Sequence, residues 1–210
     1  MALRRLEHEE RMKMKKLTAI VLSALLATPV VAEDVDKTLD AASDGHVHVS
    51  NISGSVEISG WSRNEVEVTG ELGRNVEELI FERAGDKITV KVKVPRKSRG
   101  GIESDLRIQV PQGSSIDVGT VSADIEVEDV VGEQSLSSVS GDVSTEGGES
   151  DIHASAVSGD VEVNGQSKEA ETSVNTVSGD VTLFRIAGKV GAESVSGDVI
   201  IDEGSFDRVN

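Results

Sequence analysis

The chain has 210 residues, no cysteine, 2% aromatic residues, and a formal net charge of −17 from 21 Lys+Arg against 38 Asp+Glu. The lack of cysteine excludes disulfides, thiolate metal sites and cysteine nucleophiles. The negative charge argues against nucleic acid as a partner, because phosphates are bound by Lys and Arg. The small number of aromatic rings also argues against a binding groove in which sugars or bases stack on aromatic side chains.

Residues 1–32 have the layout of a secretory signal peptide. A basic cluster at 11–16 precedes the uncharged, mostly apolar run Leu17–Ala27, and small residues follow at the cleavage point. A bilayer span needs about 20 residues, so we predict cleavage rather than a transmembrane anchor. Acidic residues ahead of the basic cluster indicate that translation starts at Met12 or Met14. The mature chain then has 15 basic and 35 acidic residues, and no later segment is apolar enough to span a membrane.

The first part of the mature chain is predicted to be all-β. Residues 33–42 are interpreted as a short linker, and 43–110 as an irregular β lead-in to the rest. Alternation of apolar and polar residues with a period of two marks the strands of this lead-in. They are His46–Ser50, Ser55–Ser59, Glu65–Thr69, Glu78–Phe81, Lys87–Val94 and Asp105–Val110.

A repeat dominates residues 111–210, which we predict to form one continuous domain with 43–110. Val-Ser-Gly-Asp-Val occurs at 139–143, 157–161, 177–181 and 195–199, preceded by the variant Val-Ser-Ala-Asp-Ile at 121–125. The leading valines are 18, 18, 20 and 18 residues apart. Such regular self-similarity is typical of stacked repeats, each of which is too small to bury its own apolar face.

Each repeat is predicted to supply two short strands. In the repeat around 157–163, Val157, Gly159, Val161 and Val163 alternate with polar residues, which indicates one inward face. A second strand precedes the leading valine, with inward residues five, three and one positions before it. The leading valine is therefore predicted to point inward as well, at a break in parity of the kind that a bulge or corner produces. The inward glycine indicates close approach of a neighbouring backbone.

These features predict an all-β fold: a β-solenoid, or a solenoid-like two-sheet roll of 18–20-residue repeats. The alternative is a β-sandwich, because strands every 8–12 residues also suit one. The nearly constant repeat length favours the solenoid.

The sequence resembles a known family, the bacterial "putative adhesin" family of exported β-strand-repeat proteins, a domain-of-unknown-function group. The resemblance covers about 45–205 and rests on an ordered set of motifs. They are GSVEISGW at 54–61, EVEV at 65–68, GDKI at 85–88, LRIQVP at 106–111 and the Val-Ser-Gly-Asp-Val repeats. It implies an exported, repeat-built protein. It implies no established activity and no catalytic residues.

The motif aspartates are the first candidate site. In a solenoid they would form one outward column with a spacing of about 4.8 Å. Ca²⁺ would relieve the repulsion between such carboxylates, which makes them candidate Ca²⁺ ligands. The alternative is that each carboxylate accepts backbone N–H groups at its own turn. The residues are Asp124, Asp142, Asp160, Asp180 and Asp198.

Two smaller groups are also candidates. His46 and His48 share one side of a strand near Asp44, which suggests either a Zn²⁺ or Cu²⁺ site or a solvent-facing strand. A basic loop is either a docking site for anionic groups or a solvated hairpin whose lysines discourage edge pairing. Its residues are Lys91, Lys93, Arg96, Lys97 and Arg99.

The function predicted from these features is non-enzymatic. The sequence has no Gly-x-Ser-x-Gly, phosphate loop, His-Glu-x-x-His or Rossmann glycine pattern, and we expect no cofactor. The favoured interpretation is an exported envelope protein, structural or adhesin-like, that presents polar faces of a rigid stack to an unidentified envelope or surface protein or glycan. One alternative is a periplasmic envelope-stress or regulatory protein that binds one partner protein. Another is a polysaccharide-active β-helix enzyme. The mature protein is expected in the periplasm, on the cell surface or secreted.

The last residues read as the beginning of another repeat. An uncovered strand edge is a template for pairing with another chain. The sequence therefore predicts either an end-to-end homodimer or a plug formed by Phe206 over the last repeat.

Overall fold

The computed structural model describes residues 33–97, 100–165 and 170–209; the predicted signal peptide lies outside them. Every regular element in this part of the chain is a β-strand, and no helix there could cross a membrane. All 16 strands belong to one hydrogen-bonded sheet. They are β1 (Glu33–Asp40), β2 (His46–Trp61), β3 (Glu65–Leu72), β4 (Glu78–Ala84), β5 (Lys87–Lys93), β6 (Ser104–Pro111), β7 (Ser115–Glu128), β8 (Gln134–Ser138), β9 (Val143–Glu146), β10 (Ile152–Ala156), β11 (Val161–Asn164), β12 (Glu171–Thr176), β13 (Val181–Phe184), β14 (Ala187–Ser194), β15 (Val199–Asp202) and β16 (Ser205–Val209).

The sheet folds over into two layers because two long strands run through both of them. The first half of β2 pairs in parallel with β5, and its second half, Gly54–Trp61, pairs in parallel with β6. β7 follows β2 along almost its whole length, also in parallel. One layer has the order β1-β3-β6-β2-β7-β9-β11-β13-β15, and the other has β4-β5-β2-β7-β8-β10-β12-β14-β16. The predicted solenoid-like two-sheet roll is confirmed, since its repeats stack in parallel and do not form antiparallel sandwich sheets.

From β7 onward, each repeat adds one strand to each layer and forms one rung of the stack. Val161 of β11, for example, pairs with Val143 of the rung before it and Val181 of the rung after it. Apolar side chains of both layers meet between them in one continuous core. Burying each Val, Ile or Leu side chain in this way stabilises the fold by about 1.5–3 kcal/mol. The core is built almost entirely from Val, Ile and Leu, in keeping with a composition that has only 2% aromatic residues.

The core also holds a polar side chain, Gln134, at one of the predicted inward positions. It is fully buried, and its Nε2 donates to the carbonyl oxygens of Val130 at 3.1 Å and Glu146 at 3.2 Å. Its Oε1 accepts a hydrogen bond from the hydroxyl of Thr145. All of its polar atoms are thereby satisfied, as burial of an amide requires.

The beginning of the stack differs from the rest because antiparallel strands cover it. β4 and β5 form an antiparallel hairpin in one layer, and β3 lies antiparallel between β1 and β6 in the other. The prediction of a linker over 33–42 is wrong, because Glu33–Asp40 is strand β1. β1 is an edge strand in which Val35 alone is fully buried, so its sequence is too polar to show a strand's alternation.

Candidate functional site

The corner between the two strands of a rung is where the Val-Ser-Gly-Asp-Val motif lies. The leading valine and the serine after it both point outward, and the chain turns back inward at the glycine position. Our prediction that the leading valine points inward is therefore wrong. The parity break falls between the valine and the serine, because a sharp corner turns two successive side chains toward solvent. The five exposed valines are Val121, Val139, Val157, Val177 and Val195.

The glycines of the motif lie where successive rungs approach most closely. A Cβ on Gly159 would lie 2.2 Å from the carbonyl oxygen of Gly141, and one on Gly179 would lie 2.1 Å from that of Gly159. Both distances are far inside van der Waals contact, and the obstacle is backbone, which cannot swing away. The close approach that the sequence predicts at this position is confirmed.

Small hydroxyl side chains on the residue before the valine bind these crowded carbonyls. Ser138 Oγ donates to the carbonyl of Ala123 at 3.4 Å, and Ser194 Oγ to that of Gly179 at 2.9 Å. Thr176 Oγ1 makes the equivalent bond one rung earlier. The hydroxyls point inward, so they satisfy carbonyl groups that water reaches poorly.

The motif aspartates form a ladder along the outside of the corner. The Oδ1 of each of the first four accepts a hydrogen bond from the backbone N–H of the aspartate in the following rung. The four N···O distances lie between 2.8 and 3.0 Å, and the acceptors are Asp124, Asp142, Asp160 and Asp180. The prediction that each carboxylate caps its own turn is thus wrong in one respect, because the bond joins two rungs.

The Ca²⁺ interpretation of this column remains a prediction. In the described ranges, no three His, Cys, Asp or Glu side chains come together as a set of metal ligands. One oxygen of each of the first four ladder carboxylates is already bound to backbone, whereas the fifth, Asp198, accepts no such bond in the described chain. Ca²⁺ takes six to eight oxygen ligands, so successive rungs would have to share it.

The outer face beside the ladder is acidic. A depression of about 350 Å³ opens between neighbouring rungs there, and carboxylates of Asp124, Glu126 and Asp142 line it. A smaller one, of about 180 Å³, contains an ion pair in which Arg107 Nε lies 2.8 Å from Glu57 Oε2. This exposed ion pair neutralises only Glu57, so the other carboxylates of the face keep a net negative charge. Such a face suits a cationic partner.

The predicted basic loop lies at the beginning of the stack, on the strand that pairs with the first half of β2. Lys91 and Lys93 project from β5, and Arg96 and Lys97 follow in an exposed turn; Arg99 lies outside the described residues. Lys93 Nζ lies 3.8 Å from Glu78 and 4.0 Å from Glu77, so part of the positive charge is balanced locally. The structure places four of the five predicted side chains on β5 and in the turn that follows it, and the role of this group stays a prediction.

The histidine pair has a partner that the sequence does not indicate. His46 and His48 point to the same side of β2, as predicted, but Asp44 is not the partner of His48. Its Nδ1 lies 2.9 Å from Oδ2 of Asp117, on the neighbouring strand β7. Asp117 is 69 residues away in sequence, and only the strand register makes the two adjacent. This surface pair links β2 to β7 in the same layer.

Comparison with known proteins gives a family match. A family model described as Toastrack DUF4097 matches residues 30–210, which confirms the resemblance indicated by the motifs. No curated protein matches the sequence. Similar solved structures include a "putative cell adhesion protein" from Clostridium sporogenes, 9% identical, with a TM-score of 0.49 over 81% of this chain and 99% of that chain. Another is a "putative adhesin" from Bacteroides fragilis, 11% identical, with a TM-score of 0.48 over 83% of this chain and 95% of that chain.

Proposed function

Because the chain belongs to the Toastrack DUF4097 family, we propose that it is a non-enzymatic binding module of the cell envelope. In this proposal, a rigid stack of parallel rungs presents the same side chains at regular intervals to a partner. The observation that carries it is the column of five outward valines at the corner.

This column is unusual for a protein surface. Four of the valines are between 43% and 48% exposed, and Val195 in the last rung is 71% exposed. At about 4.8 Å per rung, the column runs for about 19 Å along the stack. Each valine is followed by an exposed serine, so methyl groups alternate with hydroxyls across the corner. Contiguous apolar surface with a polar rim is typical of interaction sites.

The way that the acidic residues are used supports binding over catalysis. Neutralising one acid abolishes the activity of a typical glycoside hydrolase, since two carboxylates flank the scissile bond. Here the aspartates at the corner occupy equivalent positions, and four of the five bind a backbone N–H group of the next rung. Carboxylates that make the same bond in successive rungs are suited to stabilising an extended binding surface.

In-cell photo-crosslinking tests the proposal. A benzophenone amino acid at Val157 is expected to yield a covalent adduct of discrete size, because that side chain faces the partner. The matched control is the same amino acid at Ser135, which is also exposed but lies on the outer face of β8. Absence of an adduct from Val157, or adducts of the same size from both positions, would count against a binding corner.

Export belongs to the same proposal and rests on the signal-peptide layout of residues 1–32. Protease treatment of intact cells, with a lysed control, decides between the two envelope candidates. Digestion in intact cells is expected of an adhesin-like surface module. Protection until the outer barrier is broken would leave the periplasmic alternative, a regulatory protein that binds one partner protein.

A further inference from the structure

The layer that ends in β15 has an open strand edge. β15 pairs in parallel with β13 and with no other strand of the described chain. β16 continues the other layer, on β14, and does not cover β15. A row of backbone donors and acceptors therefore lies open along one side of Val199–Asp202.

Three groups at each corner hold the rung that follows. Between the last two rungs, Asp180 Oδ1 accepts the N–H of Asp198 at 2.8 Å, and the Val177 carbonyl accepts the N–H of Ser196 at 2.9 Å. In addition, the N–H of Val181 donates to the carbonyl of Asp198 at 2.9 Å. The same three bonds join the earlier rungs of the repeat region, so they are the standard connection of this stack.

The last rung presents the same three groups, and none of them has a partner in the described chain. They are the carboxylate of Asp198, the carbonyl of Val195 and the N–H of Val199. The apolar side of the rung is open as well: Val199 is 42% exposed, whereas its equivalent Val181 is completely buried. In the described chain, the edge of β15 is thus a formed binding surface for one further strand.

We propose that this edge binds an extended segment of a partner polypeptide, which adds to β15 as one more parallel strand. The proposal rests on the proposed function, and it specifies how one partner is held. Strand addition at a sheet edge obtains affinity from backbone hydrogen bonds and specificity from alternate side chains.

The chemistry of the segment follows from the rung that it covers. Each motif glycine lies against the backbone of the rung before it, so the residue over Gly197 has to be glycine. Residues over Val199 and Ile201 have to be apolar, because those side chains face the core. Residues 193–203 contain four acids and no Lys or Arg, so the outward positions of the segment are basic.

A second copy of this chain fits the edge poorly. If two copies met through β15, the acids Asp198, Asp202 and Glu203 of one copy would lie close to the same group of acids in the other. If the edge met the first strand of the same layer in another copy, it would face β1, which has four acids and one lysine. Like charges at close approach oppose both arrangements. The charges therefore favour a different polypeptide over a homodimer.

Binding of a synthetic peptide tests the proposal. The probe is Lys-Gly-Lys-Val-Thr-Val-Lys, with its glycine placed for Gly197 and its valines for Val199 and Ile201; the control peptide has glutamates in place of the lysines. We expect the basic peptide to bind in fluorescence anisotropy and the acidic one not to bind. Asp198→Lys is expected to weaken binding by about tenfold or more. Val199→Pro is expected to do the same, because it removes an edge N–H that makes no bond to β13.

Glu162→Lys is the matched control, since it makes the same change of charge on the outer face of β11 and should leave peptide binding unchanged. Urea unfolding of each variant verifies that the stack is intact. The proposal is overturned if neither peptide binds, if the edge variants bind like the parent, or if the parent sediments as a dimer that Val199→Pro separates. If crosslinking from Val157 persists in any of these cases, the proposed function stands and only the edge proposal fails.

Discussion

The backbone N–H of Asp160 donates a hydrogen bond to Oδ1 of Asp142, 18 residues earlier in the chain, at 2.9 Å. Asp160 in turn accepts the N–H of Asp180 at 2.8 Å. The three inner aspartates of the ladder, Asp142, Asp160 and Asp180, thus have two functions: the backbone N–H binds the rung before, and the carboxylate binds the rung after. This relationship explains why the repeat has an aspartate directly after the glycine, where two rungs are closest.

The first prediction concerns the acceptor in this ladder. Asp160→Ala removes the acceptor of the Asp180 N–H and should lower the free energy of unfolding by about 1–2 kcal/mol. Asp160→Asn keeps an oxygen at the same place and removes one charge from a column of like charges, so it should change stability by less than about 0.5 kcal/mol. Urea unfolding followed by circular dichroism measures both. Equal losses for the two variants would show that charge, and not the hydrogen bond, is what matters.

The second prediction concerns the glycine of the corner. Gly179→Ala places a methyl group about 2.1 Å from the carbonyl oxygen of Gly159, and the rungs have to separate to accept it. We expect a loss of about 3 kcal/mol or more, at the upper end of overpacking effects. Gly119→Ala is the control, because its nearest neighbour would be the Ser137 hydroxyl at 3.8 Å. A Gly179→Ala variant as stable as the control would contradict the close approach of the rungs.

The strand positions of the repeat could be predicted from the sequence, but the corner could not. Alternation identifies Val161 and Val163 as one face, and both are buried. Extending the alternation backward assigns Val157 to the same face, and Val157 is in fact exposed. At each corner, two successive side chains must point to the same side, which interrupts the alternation. The alternation pattern alone does not determine which two residues these are. Gly159 is the informative residue, since the backbone contact that excludes a side chain also fixes which residues face inward.

A third prediction tests this corrected register. Val161→Ala removes two buried methyl groups and should cost about 2 kcal/mol. Val157→Ala removes the same groups from a side chain that is 48% exposed, and should cost less than about 0.5 kcal/mol. Thermal or urea unfolding of the two variants gives the comparison. Similar losses of stability at both positions would indicate that Val157 is buried and points inward, as the alternation pattern predicts.

Contacts between distant strands were beyond prediction from this sequence. His48 meets Asp117 because β2 and β7 pair in one particular register, and nothing within either strand shows which register that is. The ion-pair partner of Glu57 could not be predicted either, because Arg107 lies on β6, 50 residues away in the sequence. β1 was missed for a different reason: an edge strand buries little, so its sequence resembles a linker.

A fourth prediction concerns Ca²⁺. Four of the five ladder carboxylates already use one oxygen on backbone N–H groups, and these bonds themselves join the rungs at the corner. We therefore expect the melting temperature to be the same in a chelator and in excess Ca²⁺. A higher melting temperature with Ca²⁺ would show that the remaining oxygens bind the ion, and Asp142→Asn should then diminish the increase.

The fifth prediction comes from a gap in the hydroxyl column. Ser138, Thr176 and Ser194 each donate to a corner carbonyl of the previous rung. In the rung between those of Ser138 and Thr176, the equivalent residue is Ala156, which is buried and has no hydroxyl to donate. Within the part of the chain that the structure describes, no side-chain hydroxyl therefore binds the carbonyl of Gly141. Ala156→Ser should supply the missing bond without a change in backbone.

The expected gain for Ala156→Ser is about 0.5–1 kcal/mol, the net value of a buried hydrogen bond. Ser138→Ala is the reverse experiment and should lose at least as much, because it leaves the Gly141 N–H, which donates to Ser138 Oγ at 2.9 Å, without its acceptor. Both are measured by urea unfolding against the parent chain. If Ala156→Ser destabilises the protein, the pocket beside Gly141 is too tight for a hydroxyl, and alanine is there for steric reasons.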